Sequence, residues 1–174
     1  MYLRRLNERN SIFYLISIAL IILLIPHLVR VVSYGNSLMG FESYYHQRIV
    51  EEMKEKGGIE YDQLSYAGAN YVFEPYHFIL AVFSSIINLS VVLRLLPFLL
   101  GIMSLVLFYS ILKKLKLELK SRFLTVLVFV LSPIFIYFFT LADKHSIPFF
   151  LNLVGFYFFL AKRRYFIISI VSFL

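Results

Sequence analysis

The chain has 174 residues, of which 60% are hydrophobic and only 16% charged, with a formal net charge of +7 and a mean hydropathy of +0.81. Soluble domains carry about 25% charged residues, so this composition excludes an ordinary soluble globular protein. Cysteine is absent, which excludes a disulfide framework and any thiolate metal site.

The residues between Arg9 and Arg30 carry no charged side chain. At 1.5 Å per residue such a stretch covers the hydrocarbon core of about 30 Å. A span is predicted over residues 11–34, read as an uncleaved signal anchor because the apolar stretch exceeds a signal peptide's core. Further spans are predicted at 92–112, 123–142 and 146–161, with a partial span at 165–174. The apolar segment 75–91 is assigned to an interfacial or re-entrant helix, because counting it as a span would separate the basic clusters. Those clusters are Arg4, Arg5 and Arg9; Lys113, Lys114, Lys116, Lys120 and Arg122; and Lys162, Arg163 and Arg164. The positive-inside rule puts all three on the cytoplasmic side, with the N-terminus cytoplasmic and the loop 35–74 on the outer face. The fold class is therefore all-α, a polytopic membrane helix bundle with a helical outer loop between its first two spans. The basic surplus is a topology signal, and no nucleic-acid partner is expected.

Within the outer loop, Glu42 to Lys56 reads as a helix. Tyr45, Ile49 and Met53 form an apolar stripe, while Arg48, Glu51, Glu52 and Glu55 occupy the other side. Gly57-Gly58 ends it, Asp62-Gln-Leu-Ser reads as a turn, and Glu74-Pro75 opens the next helix with proline in its first turn. The short loop Asp143-Lys144-His145 pairs a carboxylate with an imidazole. If the first span packs beside it, Glu42 adds a second carboxylate, and such an oxygen-rich set suits Mn²⁺ or Mg²⁺. Plainer readings stand beside these. A short loop between apolar helices needs charges to stay in water, Arg94 either snorkels to the interface or meets lipid phosphate, and His77 also fits a satisfied interfacial histidine.

The order of these pieces resembles the N-terminal part of the GT-C membrane glycosyltransferases, most of all the catalytic subunit of oligosaccharyltransferase and its archaeal relatives. Gly40-Phe-Glu-Ser-Tyr-Tyr-His-Gln-Arg48 is similar to that family's Asp-x-Tyr-Tyr-His-x-Arg opening of the first outer loop. Asp62-Gln-Leu-Ser-Tyr66, Glu74-Pro-Tyr-His77 and Ala142-Asp-Lys-His145 follow in the family's order. The resemblance implies transfer of a sugar from a polyprenyl or dolichyl phosphate or diphosphate carrier to an acceptor on the outer face. It implies Glu42 and Asp143 as catalytic residues, with Glu42, Asp143 and His145 as ligands of a divalent metal that stabilises the leaving phosphate. Arg48, Arg94, His46, Asp62 and His77 are the expected lipid-phosphate or substrate contacts. Two departures stand out: the first acid is Glu where the family has Asp, and Lys144 sits inside the second motif. The likeness spans only the N-terminal portion of a full family member, so a fragment or short relative is expected, partnered by the lipid-linked donor, membrane lipid and further membrane subunits. A GT-C branch that decorates lipid or polysaccharide shares the same loop layout. The alternative function is a non-catalytic assembly subunit that docks a partner through its outer loop.

Overall fold

The structure is a computed structural model that describes residues 7–35, 37–38, 40–62, 64 and 68–161. The described chain is mostly helical. Its elements are α1 (Glu8–Tyr34), α2 (Gly40–Lys56), β1 (Tyr61–Asp62), β2 (Ala69–Asn70), α3 (Pro75–Ser84), α4 (Leu89–Lys114), α5 (Leu119–Leu131), α6 (Pro133–Thr140) and α7 (Ser146–Phe159). The two short strands form an antiparallel ladder with Tyr61 opposite Asn70 and Asp62 opposite Ala69.

Among the described residues two helical stretches are long and apolar enough to cross a membrane, Glu8–Val29 and Leu89–Lys114. The span expected at 123–142 is broken, because α5 and α6 meet at an angle of 60°. Pro133 lacks the N–H that would continue the helix, and its ring clashes with the preceding turn. Ser132 starts α6 afresh, its hydroxyl accepting a hydrogen bond from the Phe135 N–H at 3.2 Å. The span expected at 146–161 is the 14-residue helix α7, about 21 Å long at 1.5 Å per residue and too short to cross unaided. The segment expected as one helix over 75–91 stops at Ser84, and α4 starts at Leu89, three residues before the expected span, because the Asn88 side chain caps it by accepting from the Ser90 N–H at 2.9 Å. The partial span 165–174 lies outside the described residues.

Helix α4 is the hub and touches α1, α2, α3, α5, α6 and α7. One apolar cluster joins Leu15, Ala19 and Leu23 of α1 to Leu105 and Tyr109 of α4, Val126 and Val130 of α5, and Phe135 and Phe139 of α6. Gly101 makes the α4–α6 approach possible, since a Cβ there would lie 2.9 Å from the Phe139 Cβ. A second cluster, with Val50, Tyr76, Leu80, Val92, Leu93 and Ala142, seats α2 and α3 on the N-terminal end of α4.

The two ends of the assembly differ in charge. At one end Glu8 pairs with Lys113 at 2.8 Å and Arg122 at 3.0 Å, which brings the start of α1 to the α4–α5 corner. This basic end holds Arg9 and the Lys113–Arg122 cluster together, whereas Lys162, Arg163 and Arg164 lie outside the described residues. At the other, polar end lie α2, the strand pair, the start of α3 and the Asp143 loop.

Candidate functional site

Helix α2 delivers the central side chain of the polar end. Its buried residues are Ser43, His46, Ile49 and Val50, which repeat at three and four residues as a helix face must. The buried face is therefore turned from the expected Tyr45–Ile49–Met53 stripe and is centred on a polar residue. Gly57, at φ +73°, ends the helix as expected. Lys54 anchors the C-terminal turn by donating to the Ser84 carbonyl of α3 at 3.2 Å, and Ser43 anchors the first turn by accepting from the Ala142 N–H at 3.1 Å.

His46 meets His77 of α3, with Nδ1 and Nε2 of the two rings 2.7 Å apart. Both rings are buried, at 1% and 0% exposure. The other nitrogen of His77, Nδ1, lies 2.7 Å from the Tyr71 hydroxyl, and 3.8 Å from Oε2 of Glu74. Burial, reinforced by the neighbouring His77, pushes His46 down to about 4. His77 is lowered as well, chiefly by burial and against the pull of Glu74. Both rings are thus neutral at pH 7, and the chain of bonds can run either way with the tautomers: from Tyr71 O–H through His77 to His46 Nδ1, or from His46 Nδ1–H through His77 to the Tyr71 oxygen. His46 Nε2 and Glu74 Oε2 are buried and have no hydrogen-bond partner. One ligand atom from each of His46, Glu74 and His77 lies within 4.8 Å of the other two.

Around this centre the charges are ordered. Lys144 donates to Glu74 Oε1 at 2.8 Å, and that bond raises the lysine's pKa. Arg48 grips Asp62 with two bonds of 2.8 Å, which raises the guanidinium's pKa, and it also reaches Glu52 at 3.4 Å. Asp62 Oδ1 accepts from the Leu64 N–H at 3.0 Å, forming the turn expected there. Asp143 Oδ1 accepts from the His145 backbone N–H at 2.9 Å and lies 2.7 Å from His145 Nδ1.

Glu42, Asp143 and His145, the metal ligands expected from the sequence, are not gathered within ligand-sharing distance. Asp143 is committed to His145 and its own loop, while Glu42 points to His46, with its Oε2 4.0 Å from Nε2. Of the expected contacts, His46 and His77 meet each other, Arg48 and Asp62 meet each other, and Arg94 lies elsewhere, in an apolar groove. That groove, of about 180 Å³, runs between α1, α4 and the 140–142 corner and is lined by Leu24, His27, Leu38, Arg94, Phe98 and Thr140. Ser43, also on its wall, stands one helical turn from His46 and joins the groove to the histidine pair.

No family model, curated protein or solved structure matches this chain. The functional reading therefore rests on the residues and their geometry. Sequence reasoning missed Glu74, Tyr71 and Lys144 as members of the site. The Glu74-Pro-Tyr-His77 spacing was the available signal, since residues three apart share a helix face and can offer both side chains to one ligand.

Proposed function

We propose that the chain forms the donor-binding part of a membrane glycosyltransferase that uses a polyprenyl or dolichyl phosphate or diphosphate sugar, with its polar end on the outer face. The observation that carries this reading is the groove: its walls are apolar, a guanidinium and an imidazole sit in it, and it meets the polar end at Ser43 and Ala142. An isoprenoid chain fits the apolar walls by the hydrophobic effect. Arg94 fits the phosphate, because a planar guanidinium binds phosphate oxygens in pairs and stays charged at any physiological pH. In the transfer step the acceptor attacks the anomeric carbon, the carbon–oxygen bond to phosphate breaks, the lipid phosphate leaves with the electron pair, and the proton lost by the acceptor passes to water or to the leaving phosphate. Positive charge held at the departing oxygen lowers that barrier. The implied metal at Glu42, Asp143 and His145 has no gathered ligand set here, so no step is routed through it.

The test is binding of polyprenyl phosphate to the full chain in nanodiscs, compared with the uncharged polyprenol. Phosphate-dependent binding that falls at least tenfold in Arg94→Gln and recovers in part in Arg94→Lys supports the reading. Equal affinity for both lipids, or indifference to Arg94→Gln, overturns it.

A further inference from the structure

From the arrangement at the polar end we infer a binding site for one divalent transition-metal ion, held by His46 of α2 and by Glu74 and His77 at the start of α3. Four observations carry it. Ligand atoms of the three residues lie within 4.8 Å of one another. Both imidazoles are buried. Glu74 Oε2 is buried without a hydrogen-bond partner. The third residue arrives on a different element, so the site closes α2 onto α3 and is not a cluster of neighbours in sequence.

The donor chemistry selects the ion. Two imidazole nitrogens and one carboxylate oxygen suit Zn²⁺, Co²⁺ or Mn²⁺, whereas Mg²⁺ prefers oxygen donors alone. Zn–N bonds are about 2.1 Å and the coordination is tetrahedral, so two nitrogens on one ion stand about 3.4 Å apart. The facing nitrogens of His46 and His77 are at 2.7 Å, and a small separation of the rings admits an ion between them. The exchange needs only a change of tautomer. With the His77 proton on Nδ1, where the Tyr71 oxygen accepts it, and the His46 proton on Nε2, the two facing nitrogens present lone pairs and both rings remain neutral. Tyr71 then orients His77, and Lys144, already on Glu74 Oε1 at 2.8 Å, orients the carboxylate whose Oε2 is open. Such outer partners fix the ligand geometry of metal sites. The site stands or falls independently of any sugar-transfer activity, because its readout is the ion itself.

The experiment titrates the full chain in detergent or nanodiscs with Co²⁺, followed by visible absorption and then displacement by Zn²⁺. One equivalent is expected, unaffected by millimolar Mg²⁺. Glu74→Gln and His77→Gln are expected to weaken binding at least tenfold while circular dichroism keeps the helical signal. Lys144→Met removes the same ion pair as Glu74→Gln but no ligand, and it is expected to weaken binding less than Glu74→Gln does. His145→Gln, exposed and outside the set, is expected to leave binding unchanged. Lack of one-equivalent binding overturns the site, as does binding that survives in folded Glu74→Gln. Loss of the ion in His145→Gln also overturns it, moving the metal to the Asp143 loop. Should His77→Gln fail to fold, the pair Glu74→Gln and Lys144→Met still decides.

Discussion

His46 and His77 share a 2.7 Å contact across 31 positions of sequence. A histidine pair at this distance, shielded from water, is stable only while at most one proton lies between the rings. Two imidazolium ions so placed repel strongly, and burial penalises even one. The pair therefore joins α2 to α3 in a form that acid destroys.

The pH dependence follows with a definite sign. His46 is lowered from its usual 6.5 to about 4, so between those values the unfolded chain binds a proton that the folded chain excludes. Stability then falls as pH drops through 6.5 and stops falling near 4, at a cost of order 2 kcal/mol after allowance for partial screening. Glu74 and Asp143 oppose this shift and Lys144 adds to it. Hydrogen exchange of α2 and α3 at pH 7 and pH 4.5, corrected for the slower intrinsic exchange in acid, checks the expectation: smaller protection factors at pH 4.5 are predicted, and His46→Gln is expected to flatten the difference.

How much of this was legible in the sequence depends on the range of the interaction that decides each feature. The end of α2 rests on local chemistry, the glycine at Gly57, and stands where expected, while its start lies two residues before the expected Glu42, at Gly40. Glu74-Pro75 likewise opens α3. The break inside 123–142 was also local, since Pro133 follows a capping serine, but the unbroken run of apolar residues masks it when hydropathy alone is read. The buried face of α2 was not legible at all. Its centre is His46, which is polar by composition and becomes a core residue only because His77 arrives from another helix. The gathering of His46, Glu74 and His77 is tertiary in the same sense, and no spacing rule contains it.

Arg48 and Asp62 fasten the strand pair to α2 with two bonds of 2.8 Å, and the aspartate side chain is only 3% exposed. Removing the arginine takes two charged hydrogen bonds from a buried carboxylate that the Leu64 N–H still reaches, which costs about 2 kcal/mol, at the lower end for such pairs because Arg48 is itself partly exposed. Arg48→Ala is expected to make the 61–70 hairpin the first site of limited proteolysis. Arg48→Lys keeps the charge but loses the paired geometry, and an intermediate cleavage rate is expected.

Ser43 ties the start of α2 to the Ala142 N–H, and both residues are buried. Ser43→Ala leaves that N–H without a partner, at about 1–2 kcal/mol. The same residues line the groove, so weaker polyprenyl phosphate binding is expected to accompany the loss of melting temperature. Unchanged lipid affinity in a destabilised Ser43→Ala protein would separate the groove from the α2 anchor.

Gly101 gives the most direct test of the core. An added methyl would stand 2.9 Å from the Phe139 Cβ, 3.0 Å from its Cγ and 3.1 Å from the Leu23 Cδ1. The near atoms belong to the stem of Phe139, which cannot swing away by a simple rotamer change as a long flexible side chain can. Relief requires α6 to shift away from α4, and overpacking of this kind costs about 1–3 kcal/mol. Gly101→Ala is expected to lower the melting temperature in detergent, and Gly101→Leu to lower it further. A compensating Phe139→Ala, which keeps the Cβ but removes the Cγ at 3.0 Å, is expected to recover part of the loss in Gly101→Ala, although Phe139→Ala alone is destabilising because it empties space beside Phe135 and Phe149. That non-additivity is the signature of direct contact. Strictly additive losses in the double variant would show that α4 and α6 do not meet at this point.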